Sequence, residues 1–452
     1  MDRSLGEDER HPLAGEAGRG ALARLYEHPH GPRFSHQCGD RLGLDGLSRV
    51  RAYAATLSAP DWRPGEPPEW VTRFAAACLA DVPFYRARGG DPAALGSIPP
   101  CERSDLAREP WRFVPDGLPL QDLIVYTSAG TTTGSPLDVL SSPETSSLTL
   151  PLLERALALH GVRLEGGSGR ASIVLVCAQR KTYTYASLSS YLGGAAFLKL
   201  NLDPRDWPDP ADRARFLDEL DPEVYTGDPV SFLWLARLPL NRRPKALIST
   251  AMALLPGHRA LLERRFGCPV LDVYSLNECG PVAVARDGLF AVLPPDLYVE
   301  VLDDRGDPCP PGVRGEVTLT GGRNPYLPLL RYRTADYAEL TLHGGGPALA
   351  GLQGRAPVVF RNRAGDAVNN IDVAAALKPL ALAEYSLVQD RDGALCLTAR
   401  GAETQDAGVR QALLPLFGPD QPLTLEERDD VPSGKLMPFR CELDWDPADA
   451  VR

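Results

Sequence analysis

The chain has 452 residues, of which 44% are hydrophobic and 24% are charged, and its formal net charge is -11 at pH 7. This length allows two or three domains around a large core, and the ordinary composition excludes a chain that is disordered throughout. The negative net charge argues against a nucleic-acid partner or an anionic membrane surface, because both select a basic face.

The cysteines and the chain ends indicate a cytoplasmic protein. Nine cysteines are spread from Cys38 to Cys441 without a C-x-x-C pair, which is typical of reduced thiols. His258 and three later cysteines up to Cys309 have the ligand types of a zinc site, but their spacing matches no common site, so buried thiols are the preferred interpretation. The polar, acidic amino terminus and the absence of an 18-residue apolar stretch predict neither a signal peptide nor a membrane span.

Residues 1–69 show no sustained hydrophobic period and are predicted to form a loosely packed extension. From Glu69 the apolar residues recur at helical spacing, and this helix is expected to end at Pro83. A second helix is predicted from Thr145 to His160.

A glycine- and hydroxyl-rich stretch lies between these two helices. It reads Y-T-S-A-G-T-T-T-G-S-P over residues 126–136 and follows an apolar run at 123–125. Glycine lets the backbone approach an anion, and hydroxyl and consecutive N–H groups donate to phosphate oxygens, so the stretch is typical of a phosphate-binding loop. It is not a Walker loop, because Ser135-Pro136 stands where Lys-Ser/Thr is needed. A hairpin or linker without a ligand is the alternative interpretation.

Short apolar runs then alternate with helical stretches from Ile173 to Tyr274, which predicts an α/β fold with a mixed, mostly parallel sheet flanked by helices. Ligands bind at the carboxyl ends of strands in such sheets. Both the phosphate-binding loop and the segment 274–278 follow strands, so we expect them to face one cleft.

The pattern changes at Leu297 to strands and turns, which predicts a β-rich subdomain. A hairpin is predicted further on, from 385–388 and 394–398 around Asp392-Gly393. The predicted organisation is an extension at 1–69, a large ATP- and substrate-binding domain at 70–355, and a small, mobile α+β domain at 356–452.

Four more patterns follow the loop in order: Y-S-L-N-E at 274–278, R-Y-R-T-A-D at 331–336, G-R at 354–355 and P-S-G-K-L at 432–436. Together with the loop they resemble the adenylate-forming superfamily. The similarity is greatest to its branch of phenylacetate-coenzyme A ligases and capsular-polysaccharide-type proteins, whose P-F-Y-R also occurs here at 83–86. Members of the family join ATP and a carboxylate into an acyl-adenylate with release of pyrophosphate, and then pass the acyl group to a thiol or an amine.

The resemblance implies a nucleotide site. Tyr274 is implied to stack on adenine, Asn277 to donate beside it, and Asp336 to accept from both ribose hydroxyls. The residues implied to hold the β- and γ-phosphates are Ser128, Gly130, Thr131, Thr132, Thr133 and Gly134.

Three charged residues are implied to act near the reacting groups. Glu278 is implied to hold Mg²⁺, which prefers carboxylate oxygen, and Arg355 to contact ribose or phosphate. Lys435, one of only five lysines, is implied to reach in from the small domain and neutralise the α-phosphate and the carboxylate oxygen. Each residue singly has an ordinary explanation: a core position for Tyr274, a helix-start acid for Glu278, a turn for Asp336, and a surface cation for Arg355 or Lys435.

The sequence also departs from the family pattern. The phosphate-binding loop is one residue longer than usual and lacks the lysine often found at Ser135. Ala335 replaces the glycine of Y-R-T-G-D, which is a mild change provided that its φ is negative. Pro357 stands where the family has an acidic hinge, and proline leaves only ψ free to absorb a domain swing. We therefore hypothesise competent adenylation, poor thioester formation, and transfer to an amine or another small-molecule acceptor.

The substrate is weakly encoded. Aromatic side chains favour an aryl carboxylate, although core packing explains them as well. The candidates for the acyl pocket are Tyr183, Tyr185, Tyr191, Phe197, Ser249, Ala251 and Met252. The predicted function is an ATP- and Mg²⁺-dependent ligase of a specialised biosynthetic pathway, with coenzyme A as one candidate acceptor. The alternatives are a diazotase that activates nitrite to diazotise an aryl amine, and a catalytically weakened nucleotide-binding relative. The exact substrate and the oligomeric state, a homodimer included, stay open.

Overall fold

A computed structural model of the chain describes residues 5–121, 123–128, 137–353, 358–380, 382–400, 406–427 and 439–444. None of the helices in these ranges has the length and apolar character needed to cross a membrane. The α-helices are α1 (Glu7–Arg10), α2 (Glu16–Tyr26), α3 (Leu44–Thr56), α4 (Glu69–Asp81), α5 (Pro83–Arg88), α6 (Arg103–Arg108), α7 (Pro143–Ser147), α8 (Thr149–Leu159), α9 (Asp212–Leu220), α10 (Pro229–Arg237), α11 (Pro256–Phe266), α12 (Asn370–Leu377) and α13 (Asp406–Phe417). The strands are β1 (Cys101–Glu102), β2 (Ile124–Ser128), β3 (Leu137–Ser141), β4 (Ala171–Cys177), β5 (Tyr185–Ser189), β6 (Ala195–Asn201), β7 (Val224–Gly227), β8 (Ala246–Ser249), β9 (Val270–Leu276), β10 (Gly280–Arg286), β11 (Leu289–Val292), β12 (Leu297–Leu302), β13 (Arg314–Gly321), β14 (Leu329–His343), β15 (Gly346–Gln353), β16 (Val359–Arg361), β17 (Ala367–Asn369), β18 (Ala383–Gln389), β19 (Leu395–Arg400), β20 (Leu423–Glu427) and β21 (Phe439–Cys441).

One long sheet runs through the large domain and confirms the predicted α/β class. Its centre is the parallel run β6-β4-β7-β8-β9, and β5 adds antiparallel at one edge. Beyond β9 the sheet continues antiparallel through β10, β11, β15, β14, β13 and β12, which is the predicted β-rich part. The central strands are apolar and buried on both faces, as expected for parallel strands between helices.

Helices cover both faces of the parallel centre. On one face, Leu152 and Ala156 of α8 pack against Ile173 and Val224 in a single buried cluster. The other face is covered by α9, α10 and α11, which are represented in that core by residues such as Phe216. Because every central strand is covered twice, the polar groups able to bind a ligand are confined to the strand ends.

The amino-terminal segment differs from the loosely packed extension expected from the sequence. Leu22 of α2 lies in the core of the parallel sheet, and Leu47 and Val50 of α3 are buried in a second cluster. The hydroxyl of Tyr53 donates to Asp296 Oδ1 at 3.1 Å. Irregular spacing of apolar residues hid these contacts from periodicity arguments, because short helices dock through only two or three side chains each.

The carboxy-terminal part has its own sheet and core. Its strand order is β20-β19-β18-β21, and β18 and β19 form the predicted antiparallel hairpin. Phe360, Val373, Leu397, Leu413 and Phe417 are fully or almost fully buried in a separate cluster. A sheet with two helices and an independent core has the character of the predicted small α+β domain.

Among the described residues, hydrogen bonds of Arg180 and a small apolar cluster join this part to the large domain. The backbone N–H of Arg180 donates to Asp372 Oδ1 at 2.7 Å. Val359 packs in a small apolar cluster with Val230 and Met252. Met252, a candidate for the acyl pocket, is therefore buried at this contact.

Candidate active site

The structure describes part of the predicted site. Ser128 is the last residue of β2, and only its backbone is described. The predicted site and hinge residues that lie outside the described ranges are Gly130, Thr131, Thr132, Thr133, Gly134, Arg355, Pro357 and Lys435. The described part of the site comprises the end of β9, the turn that follows it, the bulge of β14 and their neighbours.

Glu278 lies in the turn between β9 and β10, and 4% of the residue is exposed. Its Oε1 accepts from Arg103 Nη1 at 2.7 Å and from the hydroxyl of Tyr332 at 2.8 Å. Both contacts fall on the same oxygen. Within the described residues Oε2 accepts no hydrogen bond, so this oxygen is the one available to a cation or a ligand.

The position of Arg103 follows from the short strand β1. This strand pairs parallel with β14, in the register Cys101 with Tyr332 and Glu102 with Arg333. The next residue, Arg103, begins α6 and is thereby placed beside Glu278. Sequence reasoning missed Arg103, because its neighbours form no recognisable motif and a two-residue strand carries no periodic signal. Tyr332 lay inside a recognised motif without an assigned role.

Tyr274 and Asp336 come from different strands and meet. The hydroxyl of Tyr274 donates to Asp336 Oδ2 at 2.9 Å. Tyr274 is 8% exposed and packs in the core with Val282 and Tyr298, so little ring surface is available for stacking on adenine. Burial and the nearby Asp336 carboxylate raise the pKa of Tyr274 well above its ordinary value, so the phenol keeps its proton and orients Asp336. Asn277 is exposed in the same turn as Glu278.

A β-bulge turns Asp336 toward Tyr274. The register between β13 and β14 shifts between Glu316 and Thr318, which leaves Thr334, Ala335 and Asp336 outside regular pairing. Ala335 has a φ of 60°. The change from glycine to alanine would be mild only at negative φ, so the prediction of a mild change is wrong. A Cβ in this region costs roughly 1–2 kcal/mol. The bulge is retained because the N–H of Ala335 donates to Glu316 Oε1 at 2.7 Å.

The turn that carries Glu278 is held by Arg323. Its guanidinium donates to the carbonyl oxygen of Cys279 and, at 3.3 Å, to that of Pro281. Arg323 is buried, and Asp296, the acceptor of Tyr53, lies 3.9 Å from its Nη1. The amino-terminal helix α3 is thereby linked to the active-site turn. Sequence reasoning did not identify Arg323, because its partners are backbone carbonyls.

The strand that leads into the phosphate-binding loop ends close to Glu278. β2 and β3 form an antiparallel pair in which Ser128 lies opposite Leu137. Leu137 is fully buried in one cluster with Tyr332, against which Cys279 also packs. These contacts place the start of β3 near Tyr332 and Cys279, the neighbours of Glu278.

Some of the candidates for the acyl pocket lie along the carboxyl edge of the parallel strands. Ser249 ends β8 and is fully buried, and its Oγ has no hydrogen-bond partner among the described residues. Ala251 follows it with a φ of 69°. Tyr185 begins β5, next to the end of β6, whereas Tyr183 is 68% exposed against the ring of His36.

Two more aromatic candidates lie away from this edge. The hydroxyl of Tyr191 bonds to Glu154 of α8, and Phe197 packs against the core cluster beneath α8. These contacts agree with core packing as the reason for their aromatic character.

The Oε2 atom of Glu278 suits Mg²⁺ when substrate phosphates supply the other oxygen ligands. Mg²⁺ is commonly held by one or two carboxylates together with substrate phosphates. Since Arg103 already balances one negative charge, most of the attraction for a cation has to come from phosphate oxygens. Across the described ranges, no three His, Cys, Asp or Glu side chains form a group that could hold a metal ion without a substrate.

Comparison with known proteins gives coenzyme A ligases as relatives. No family model matches the sequence. Phenylacetate-coenzyme A ligase of Aromatoleum evansii is 25% identical over 299 residues, covering 60% of this chain and 64% of that protein. The enzyme of the same name from Escherichia coli (strain K12) is 24% identical over 298 residues, covering 60% of this chain and 65% of that protein. The chain thus matches less than two thirds of the length of either relative.

A solved structure supports the same fold. The crystal structure of 2-hydroxyisobutyryl-CoA ligase in complex with 2-HIB-AMP and CoA in the thioesterification state is 19% identical. The match covers 88% of this chain and 90% of that chain, with a TM-score of 0.53. The sequence is thus similar to phenylacetate-coenzyme A ligases over part of their length, and the structure shares the fold of 2-hydroxyisobutyryl-CoA ligase, which agrees with the resemblance of the ordered motifs to the adenylate-forming superfamily.

Proposed function

We propose that the protein is an ATP- and Mg²⁺-dependent ligase that activates an aryl carboxylate as an acyl-adenylate in a cytoplasmic biosynthetic pathway. The observation that carries this proposal is that Glu278, in the turn after β9, and Asp336, in the bulge of β14, each accept a hydrogen bond from a buried tyrosine. The ordinary explanations, a turn residue for Asp336 and a helix-start acid for Glu278, do not require a buried tyrosine partner. A carboxylate held in place by a phenol is suited to accept from ribose hydroxyls at Asp336 and to hold a phosphate-bound cation at Glu278.

The described residues have separate tasks in this proposal. Asp336 accepts from the ribose hydroxyls, and the Tyr274 hydroxyl holds it in place. Glu278 offers Oε2 to Mg²⁺, which neutralises phosphate charge when bound. Arg103 lies on the other carboxylate oxygen and is close enough to add positive charge beside the phosphates.

The tasks of residues outside the described ranges follow from the motifs. We propose that Ser128 and the residues at 130–134 donate to the β- and γ-phosphates, and that Arg355 contacts ribose or phosphate. Lys435 neutralises the α-phosphate and the attacking carboxylate. Pro357 restricts the domain swing, so transfer to coenzyme A is slow and an amine or another small molecule is the preferred acceptor.

The test is pyrophosphate release from ATP and Mg²⁺ with a panel of aryl acids, with aryl amines plus nitrite, and with or without coenzyme A. Lys435→Ala is the catalytic control, and Lys181→Ala, at an exposed lysine, is the matched control. We expect release with at least one aryl acid, lost in Lys435→Ala and kept in Lys181→Ala.

Other outcomes would redirect the proposal. Release that requires nitrite and an aryl amine would replace the ligase with a diazotase. If a folded sample that still binds ATP releases no pyrophosphate with any substrate, the protein is a catalytically weakened relative. Rapid steady-state formation of a coenzyme A thioester would refute the restriction assigned to Pro357.

A further inference from the structure

Lys199 differs from the other lysines whose side chains the structure describes. Lys181 is exposed. Lys245 is paired with Glu223 at 2.7 Å and with Glu165 at 2.9 Å, which explains it as a structural residue. Lys199 is half-buried, and it makes no ion pair or hydrogen bond through its side chain to any described residue. A half-buried ammonium without a partner among the described residues is available to an anion from outside the chain.

The position of Lys199 in β6 fixes the face on which it lies. Leu198 and Leu200 belong to the core beneath α9, α10 and α11. Because successive residues of a strand alternate between faces, Lys199 lies on the opposite face, where its neighbour Phe197 packs beneath α8. Lys199 is two residues closer to the carboxyl end of β6 than Phe197. It therefore lies at the edge of the sheet where ligands bind.

The surroundings of Lys199 are aromatic, apolar and thiol groups. It lies opposite Tyr185 of β5 and Leu175 of β4 in the strand register. Burial raises the pKa of the Cys38 and Cys177 thiols to about 12, and the positive charge of Lys199 opposes both shifts, which places it near both sulfur atoms. At this pKa neither thiol supplies a counter-charge at neutral pH.

The buried carboxylate in this neighbourhood is already satisfied. The negative charge of Asp228 also raises the pKa of Cys177. The carboxylate oxygens of Asp228 accept hydrogen bonds from the N–H of Ser231 at 2.9 Å and from the Oγ of Ser231 at 2.6 Å. It caps the start of α10 rather than pairing with Lys199.

We propose that Lys199 binds a second anionic group on the acyl substrate, so that the protein selects an aromatic acid that carries another carboxylate. This rests on the proposed function and specifies its substrate class. Tyr185 provides a flat surface beside the cation. Tyr126 of β2 is near enough to influence Tyr185, so the surroundings of Lys199 extend to the strand β2. Lys199 is the group that holds the carboxylate that is not activated.

The experiment compares matched acids. Pyrophosphate release is measured with benzoate and isophthalate, and with phenylacetate and 3-carboxyphenylacetate, for the wild type, Lys199→Met and Lys181→Met. We expect the wild type to prefer the diacid of each pair. Lys199→Met should lower the ratio of kcat/KM for diacid over monoacid by roughly 10- to 100-fold, as for a lost hydrogen bond to a charged group, while monoacid turnover persists. Lys181→Met should leave the ratio unchanged.

Binding and folding are measured in parallel. Calorimetric titration of isophthalate into the full chain with ATP and Mg²⁺ should show binding to the wild type and a matching loss in Lys199→Met. Because Lys199 is unpaired, Lys199→Met should not lower the melting temperature, whereas Lys245→Met should.

The outcomes separate this inference from the proposed function. Diacid binding that depends on Lys199, without pyrophosphate release, would support the inference and refute the ligase. Turnover that is unaffected by Lys199→Met, or that falls equally for monoacids and diacids, would overturn the inference and leave the ligase standing. Absence of diacid binding to the wild type would overturn the inference.

Discussion

The ion pair between Arg103 and Glu278 should stabilise the large domain measurably. The side chains are 17% and 4% exposed, so removing one partner leaves the other charge buried. Such a loss costs about 3–5 kcal/mol. We expect Glu278→Gln to lower the free energy of unfolding by an amount near the lower end of this range, because its amide oxygen can still accept from Tyr332. Arg103→Met should lower it by a similar amount. The double variant should lose about 2 kcal/mol less than the sum of the single losses, because no charge is left unpaired.

The measurement is a double-mutant cycle by urea unfolding, with the transition of the large domain followed by tryptophan fluorescence. Arg112 and Glu109 provide a matched control pair, with side chains 35% and 37% exposed and a contact of 3.1 Å. Their coupling should stay below about 1 kcal/mol. If the losses at Arg103 and Glu278 add without coupling, or if the two pairs behave alike, burial does not govern the strength of this contact and the reasoning is refuted.

Three further predictions concern nearby residues. Ala335→Gly should raise the free energy of unfolding by about 0.5–1 kcal/mol, because relief of roughly 1–2 kcal/mol of strain exceeds the larger entropy of the unfolded chain; a lower free energy in urea unfolding would contradict this. Tyr274→Phe should raise the KM for ATP by about fivefold with kcat nearly unchanged, since it removes one hydrogen bond that orients Asp336; steady-state kinetics in which only kcat falls would argue against that role. Burial raises the pKa of Asp272 from 3.8 to about 6, so the folded state binds this proton more tightly, and the contribution of Asp272 to the stability should fall as the pH rises from about 4 to about 6. Asp272→Asn should remove up to roughly 3 kcal/mol of this pH dependence, measured as the difference in unfolding free energy between variant and wild type; a difference that is constant with pH would count against it.

Arg103 changes the interpretation of the predicted magnesium site. A carboxylate that already faces a guanidinium attracts Mg²⁺ less than a free one, so the nucleotide and the metal should bind together rather than in sequence. In the proposed function, the same cation supplies permanent positive charge beside Glu278. This agrees with a phosphate-binding loop that lacks the lysine often found at Ser135.

Much of the fold could be predicted from the sequence because its signals are local. The helix Glu69–Asp81, the strands around 173 and 247, and the hairpin of β18 and β19 follow from apolar spacing, proline and glycine. The order of the motifs indicated the superfamily. These features depend on neighbours within about ten residues, which a single sequence displays directly.

The tertiary structure alone decided which distant residues meet. A two-residue strand places Arg103 on Glu278, a bulge forces Ala335 to positive φ and aims Asp336 at Tyr274, and strand alternation leaves Lys199 unpaired at the sheet edge. Composition could say only that lysine is scarce. Pairing, strain and burial depend on strand register across separations of tens to hundreds of residues, and this register is set by the packing of the whole domain, which no local pattern encodes.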